Sequence, residues 1–194
     1  VGVIDKYSNI KLHHLGGFMD IGINNGSTII KGKGLKDRFI NTVIKKESFI
    51  GGSFELDASY ENGILKGVIN IKNSTFKELG ILNNVIAFID TIPSLLIFKN
   101  PGFSNDGYIV DSGVIHFRYA QNVLIFEKIE LNGETLDVSG GGVINFKEDR
   151  VDMMLDISTV KNLSSIISSI PIANYIILGK DNKAITRVKI DGKV

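Results

Sequence analysis

The sequence predicts a mainly β protein, an antiparallel meander that carries two amphipathic helices at about 75–91 and 159–170. Three observations predict it. Apolar and polar residues alternate with period two through most of the chain. Clusters of Gly, Asn and Asp punctuate those runs at short intervals, and apolar spacing switches to the helical three-and-four pattern in only two places.

At 194 residues and 43% hydrophobic, the chain is long enough to bury a good core as one domain. Its 22 Lys and Arg and 21 Asp and Glu are interspersed along the whole length and leave a net charge of +1. No basic face is implied, so nucleic acid is not an expected partner. The absence of Cys excludes a disulfide scaffold and thiolate metal sites, and fits either a reducing cytoplasm or a periplasm that does without disulfides. The chain opens on Val1 rather than Met and reads as strand by Val3–Ile4. It is therefore expected to be a piece of a longer protein, with any leader or membrane anchor upstream.

Residues 1–72 read as short strands. Ile10 and Leu12 alternate with Lys11 and His13, and Ile21 and Ile23 with Asp20, Gly22 and Asn24; Asn24-Asn25-Gly26 is a turn signal. Further strands are expected at Thr28–Lys33, Phe39–Lys45, Ser53–Tyr60 and Ile64–Ile71. The last two form the clearest hairpin. Phe54, Leu56 and Ala58 alternate with Ser53, Glu55, Asp57 and Ser59, and Glu61-Asn62-Gly63 supplies the turn.

Residues 73–100 form the first helical segment. Thr75 with Glu78 has the form of a capping box, and Phe76, Leu79, Leu82, Val85, Ile86 and Ile89 follow at spacings of three and four. Pro93 ends the helix and Ser94–Phe98 leaves as an apolar tail. A membrane span is disfavoured because Asn83, Asn84 and Asp90 sit within it. Phe76, Leu79, Leu82, Ile86 and Ile89 are expected to face the sheet, and Ile92, Leu95, Leu96 and Ile97 to lie at a channel end or against membrane.

Across 101–157 the β pattern resumes with strands at Tyr108–Val110, Val114–Tyr119, Val123–Phe126, Lys128–Leu131, Leu136–Val138, Val143–Phe146 and Val151–Ile157. In 158–180 a second helix follows, capped by Thr159, with Leu163, Ile166, Ile167 and Ile170 as its apolar stripe. It too ends at a proline, Pro171, and an apolar tail over Ile172–Leu178. The segment 181–194 closes with a strand at Ala184–Ile190. "IDTIPSLLIF" and "SSIPIANYIIL" thus make a loose internal repeat of helix, proline and apolar tail.

Signals for catalysis are weak to absent. His13 and His14 are neighbours on a strand, so they face opposite sides and cannot readily share a metal; His116 has no ligand spacing either. Gly140-Gly141-Gly142 is not followed by Lys-Ser/Thr and lies between strands, which points to a bulge or bend rather than a phosphate loop; Gly32-Lys33-Gly34 reads the same way. No G-x-S-x-G elbow is present, and a hydrolase would need an acid or histidine cluster that no spacing predicts. No enzyme activity is expected. The apolar residues Phe54, Leu56, Ile69, Ile71, Val114, Phe117, Ile125, Ile144, Phe146 and Leu155 must instead meet something. They either pack into a closed core beneath the helices or line an open apolar groove for acyl chains, with the helices as cap.

Three strings carry a family resemblance: "GVINIKNSTFKELGILNNVIAFIDTIPSLLIFKNPGFSNDGYIVDSGVIHF" from Val68, then "LNGETLDVSGGGVINFKEDRVDMMLDIS", then "SSIPIANYIILGKDNKAITRVKIDG". Together they cover roughly 65–192 and resemble the C-terminal region of AsmA-like proteins, most of all the long YhdP/TamB-type members. The resemblance implies a U-shaped antiparallel β-groove with a hydrophobic channel, in a periplasmic, inner-membrane-anchored protein of a Gram-negative bacterium. It implies non-enzymatic phospholipid transport between inner and outer membrane, in support of outer-membrane integrity, with no catalytic residue and no cofactor. The implied partners are a phospholipid or other acyl-chain lipid and a membrane surface. The apolar residues of both helices become groove or cap candidates. The alternative is an envelope scaffold module that joins partner proteins through exposed sheet edges.

Overall fold

Period-two patterning fills one continuous sheet. The computed structural model describes residues 8–14, 16–77, 103–104, 107–134, 136–159, 177–178 and 184–193. In chain order the elements are β1 (Ser8–His14), β2 (Gly17–Asn24), β3 (Ser27–Leu35), α1 (Asp37–Ile44), β4 (Phe49–Ile50), β5 (Ser53–Glu61), β6 (Ile64–Phe76), β7 (Phe103–Ser104), β8 (Gly107–Ala120), β9 (Val123–Asn132), β10 (Leu136–Asn145), β11 (Arg150–Thr159), β12 (Ile177–Leu178) and β13 (Ala184–Gly192). The sheet order is β1-β2-β3-β5-β6-β8-β9-β10-β11-β13-β12, with β4 added on β6 and β7 on β8. Every described pairing is antiparallel. The predicted mainly β antiparallel meander is what the chain forms, an open sheet consistent with a curved groove.

The connections divide by end. Tight turns at Asn25-Gly26, Asn62-Gly63, Gln121-Asn122 and around Asp149 lie at one end of the strands; the Asn and Gln residues there take positive φ, as two-residue hairpin turns require. At the opposite end lie Leu35, Phe76 and Thr159, the last residues of β3, β6 and β11. The deepest part of the core is at this second end: Leu35, Phe54, Ile71, Tyr108, Val110, Leu131, Leu136 and Ile157 are all nearly inaccessible. Phe49 packs edge-on against Phe54 at 5.3 Å and Phe76 at 4.9 Å between ring centroids.

Several expectations are corrected here. Phe39–Lys45 is not a strand; Asp37–Ile44 is the helix α1. Its β-branched residues favour strand locally, but tertiary bonds decide otherwise. The buried Asn41 donates from Nδ2 to the Phe49 carbonyl at 2.8 Å and accepts at Oδ1 from the Ser48 and Phe49 amides at 3.1 and 3.0 Å. Asp37 accepts from the Gly51 amide at 2.7 Å, and Lys45 closes the helix in the left-handed region at φ 56°. Thr75 and Phe76 do not begin a helix either. They end the thirteen-residue β6, opposite Ile109 and Tyr108 of β8. Likewise Thr159 is the last residue of β11, opposite Leu136, and Ile177–Leu178 is a short strand rather than the end of a tail. The remainder of both expected helices, 78–91 and 160–170, lies outside the described residues.

Register shifts lie at both glycine clusters. The β9–β10 register shifts between Gly140 and Gly142, and the extra residue sits in β9 at Glu127–Lys128. The β3–β5 register shifts between Gly32 and Leu35, with Gly34 at φ 63°. At Asn73, φ 51°, β6 exchanges its faces: Ile71 and Ser74 are both buried while Lys72 and Asn73 are exposed, and Val110 and Gly113 mirror this on β8.

Candidate functional site

Directly opposed residues of an antiparallel ladder share a face, so the registers spell out what that face carries. One row runs Leu12, Met19, Gly32, Leu56, Ile69, Ile115, Ile129, Gly140, Leu155, Val188 across ten strands. The next runs Ile10, Ile21, Ile30, Ala58, Gly67, Phe117, Phe126, Gly142, Met153, Ile190. Neither row contains a polar side chain. At the usual interstrand spacing of about 4.8 Å, ten strands extend the apolar surface over roughly 43 Å. Flanking rows add Phe54, Ile71, Leu131, Val138 and Ile157 on one side and Leu65, Leu124, Ile144 and Val151 on the other.

Burial along this face is graded. Met153, Leu155, Val188 and Ile190, at the β11–β13 side, are as inaccessible as a protein core. Ile10 and Leu12, on β1, are each 46% exposed, and Tyr60 at the hairpin end is 44% exposed. The face is thus inaccessible at one side and exposed apolar surface at the other, and the helical segments expected to cover or cap it lie outside the described residues.

Glycines permit the crowding. A Cβ on Gly67 would stand 2.6 Å from the Cβ of Ala58, its direct partner, and one on Gly142 would stand 2.6 Å from Met153 Cγ. Phe117 and Phe126 are the direct cross-strand partners of these glycines in the same row. Gly67→Val is therefore expected to cost about 2–3 kcal/mol by overpacking, read as a lower urea midpoint at unchanged slope.

The other face is polar and carries ion pairs. Arg187 donates to both carboxylate oxygens of Asp156, at 2.6 and 2.7 Å, directly across β11 and β13. Arg150 and Lys189 both reach Asp191 at 3.3 Å. The hydrogen bonds from Arg187 hold the Asp156 carboxyl below its ordinary range, and those from Lys189, with the charge of Arg150, do the same for Asp191. Both depressed carboxylates contribute stability above the ordinary carboxyl value of 3.8 and lose it as pH falls through their lowered native values. Unfolding midpoints between pH 5 and pH 2 are expected to fall less steeply in Asp156→Asn than in the parent chain.

Of the sequence-predicted site residues, Phe76 is in the buried aromatic cluster with Phe49. Leu79, Leu82, Ile86, Ile89, Ile92, Leu95, Leu96 and Ile97, and Leu163, Ile166, Ile167 and Ile170, lie outside the described residues. Phe54, Leu56, Ile69, Ile71, Phe117, Ile144 and Leu155 do share the apolar face. Val114 and Ile125 do not: they oppose Asn70 and Arg118 on the polar side. Phe146 follows β10 and packs edge-on to Tyr119 at 6.5 Å. Ile10, Ile21, Ile30 and Leu12 were legible as alternating strand residues, but their membership of one row needed the register. Among the described residues no group of three or more His, Asp or Glu is placed to hold a metal, and no helix is long and apolar enough to cross a membrane. A depression of about 500 Å3 on the polar face is lined by Asn9, Asp20, Lys31 and Glu61 among others.

An open antiparallel meander with one apolar face and one ion-paired face defines a β-groove protein. The YhdP protein family model matches residues 10–194, and the chain belongs to that family, in agreement with its AsmA-like strings. No curated protein and no solved structure matches the chain.

Proposed function

We propose that this chain is a length of conduit for phospholipid or another acyl-chain lipid, moved without chemistry across the periplasm between inner and outer membrane. It does so within an inner-membrane-anchored envelope protein of a Gram-negative cell, and so supports the outer membrane. The observation that carries this reading is the pair of ten-residue rows free of polar side chains. Each methylene moved from water onto such a surface is stabilised by about 0.8 kcal/mol, while a headgroup keeps its hydration at the open side. Half the hydrocarbon thickness of a bilayer is about 15 Å, so a roughly 43 Å face holds a whole acyl tail with room to slide. Membership of the YhdP family supports an envelope lipid-transport role.

The test is site-specific photocrosslinking in cells. A photoreactive residue at Ile21 or Leu56, on the apolar rows, is expected to capture phospholipid; the same residue at Lys66, exposed on the polar face, is expected to stay silent. Equal capture at both positions, or none at either, overturns the reading. Native mass spectrometry showing a stable lipid-free oligomer would favour the scaffold alternative.

A further inference from the structure

We propose that the second turn of α1 is a docking point for an anionic bilayer surface, separate from the groove itself. The apolar stripe of this helix is Phe39, Ile40, Val43 and Ile44, at the spacing that places them on one side. Phe39 and Ile40 pack against the core, but the stripe runs past the point where the core ends: Val43 is 64% exposed and Ile44 46% exposed. The strand on which α1 packs, β4, adds the exposed Ile50.

What surrounds this patch identifies its occupant. Lys36 and Arg38 precede it and Lys45 and Lys46 follow it; all four are exposed, and none is in an ion pair among the described residues. On the sheet, Arg118, Lys128, Arg150 and Arg187 are matched by carboxylates while Lys33, Lys66 and Lys72 are in no ion pair among the described residues; what sets α1 apart is that its four cations flank exposed aliphatic side chains. The two acids of the helix region are already engaged: Asp37 by the Gly51 amide, and Glu47 by Asn41. Exposed aliphatic side chains flanked along the chain by cations outside any ion pair among the described residues suit an interface of acyl chains beneath anionic headgroups better than a protein surface, which would need carboxylates in register. The helix is held rigidly for this by Asn41 and Asp37, so little order has to be gained on docking. It follows Leu35 at the end of the strands opposite the tight turns, which would orient that end of the sheet toward the bilayer.

The experiment is flotation of the purified chain with phosphatidylcholine vesicles, with and without phosphatidylglycerol, at low and high salt. Binding is expected to anionic vesicles only, weakened by salt, and reduced about tenfold or more both in Val43→Asp/Ile44→Asp and in Lys45→Glu/Lys46→Glu. Because these side chains are exposed, the variants should keep the parent's melting profile, and circular dichroism checks this. Equal binding to neutral vesicles, no binding at all, or binding unchanged in both variants overturns the proposal. A dimer of the parent that Val43→Asp/Ile44→Asp abolishes would assign the patch to a second copy and also overturn it. Flotation reads surface binding without lipid passage, so its outcome is independent of the crosslinking at Ile21 and Leu56.

Discussion

Ile10→Glu combined with Leu12→Glu is expected to abolish acyl-chain capture while leaving the sheet folded. Both side chains are on β1, at the exposed side of the two uninterrupted rows. Being half exposed already, they carry little of the fold's stability, and surface changes of this kind usually stay within about 0.5 kcal/mol. The functional cost is larger for two reasons. Each substitution removes an aliphatic contact worth about 1.5–3 kcal/mol at full burial, and each adds a carboxylate that an arriving tail must strip of water. A loss of more than about tenfold in lipid crosslinking at Ile21 follows, with urea unfolding of the purified variant as the control. Lys11→Glu, on the opposite face of the same strand, is expected to leave capture near the parent level. Equal losses in both variants would mean that the strand, rather than its apolar face, matters.

Tyr108→Ala is expected to lower stability by about 3–5 kcal/mol. Tyr108 is 1% exposed, opposes Phe76, and its hydroxyl donates to the Leu136 carbonyl at 2.9 Å, tying β8 to the start of β10. Tyr108→Phe keeps the ring and should cost only about 1 kcal/mol, because the Leu136 carbonyl still accepts the Gly133 amide at 3.0 Å. Burial, and then the charges of Asp137 and Asp111, push the phenol's pKa far above its ordinary 10.0. A group whose native value is raised contributes stability below its unfolded value and loses it above. Urea stability should therefore decline as pH rises past 10.0, and Tyr108→Phe should flatten that decline. An unchanged alkaline slope would remove Tyr108 as its source.

The β5–β6 hairpin shows how far local pattern reaches. Phe54, Leu56 and Ala58 alternate with polar neighbours, Glu61-Asn62-Gly63 turns the chain, and the observed partners are Ile71, Ile69 and Gly67. The same reasoning placed a bulge or bend at the glycine clusters, where both ladders shift register. It failed at α1 and at Thr75. In Asp37–Ile44 the β-branched residues pointed to strand, and the bonds that make the helix come from Phe49 and Gly51, beyond its own turn. At Thr75 the Thr-x-x-Glu spacing fits a capping box, yet a capping box is a local pattern, and β8 offers Phe76 a strand partner and Phe49 an aromatic one.

What the sequence by itself determined is the class: an antiparallel meander, turned by Asn and Gly, with an apolar and a polar side to each strand and AsmA-like strings through most of its length. Those features depend on neighbours one to four residues apart, which any reader of the chain can see. Only the tertiary structure decided which apolar residues join. One extra residue in β9 and one in β3 reset the phase along those two strands, bringing Phe117 beside Phe126 and sending Ile125 to the polar side. Register is a property of pairs of strands, and a shift of one residue exchanges the faces. For that reason a continuous apolar surface is visible in the ladder of partners and not in any one strand.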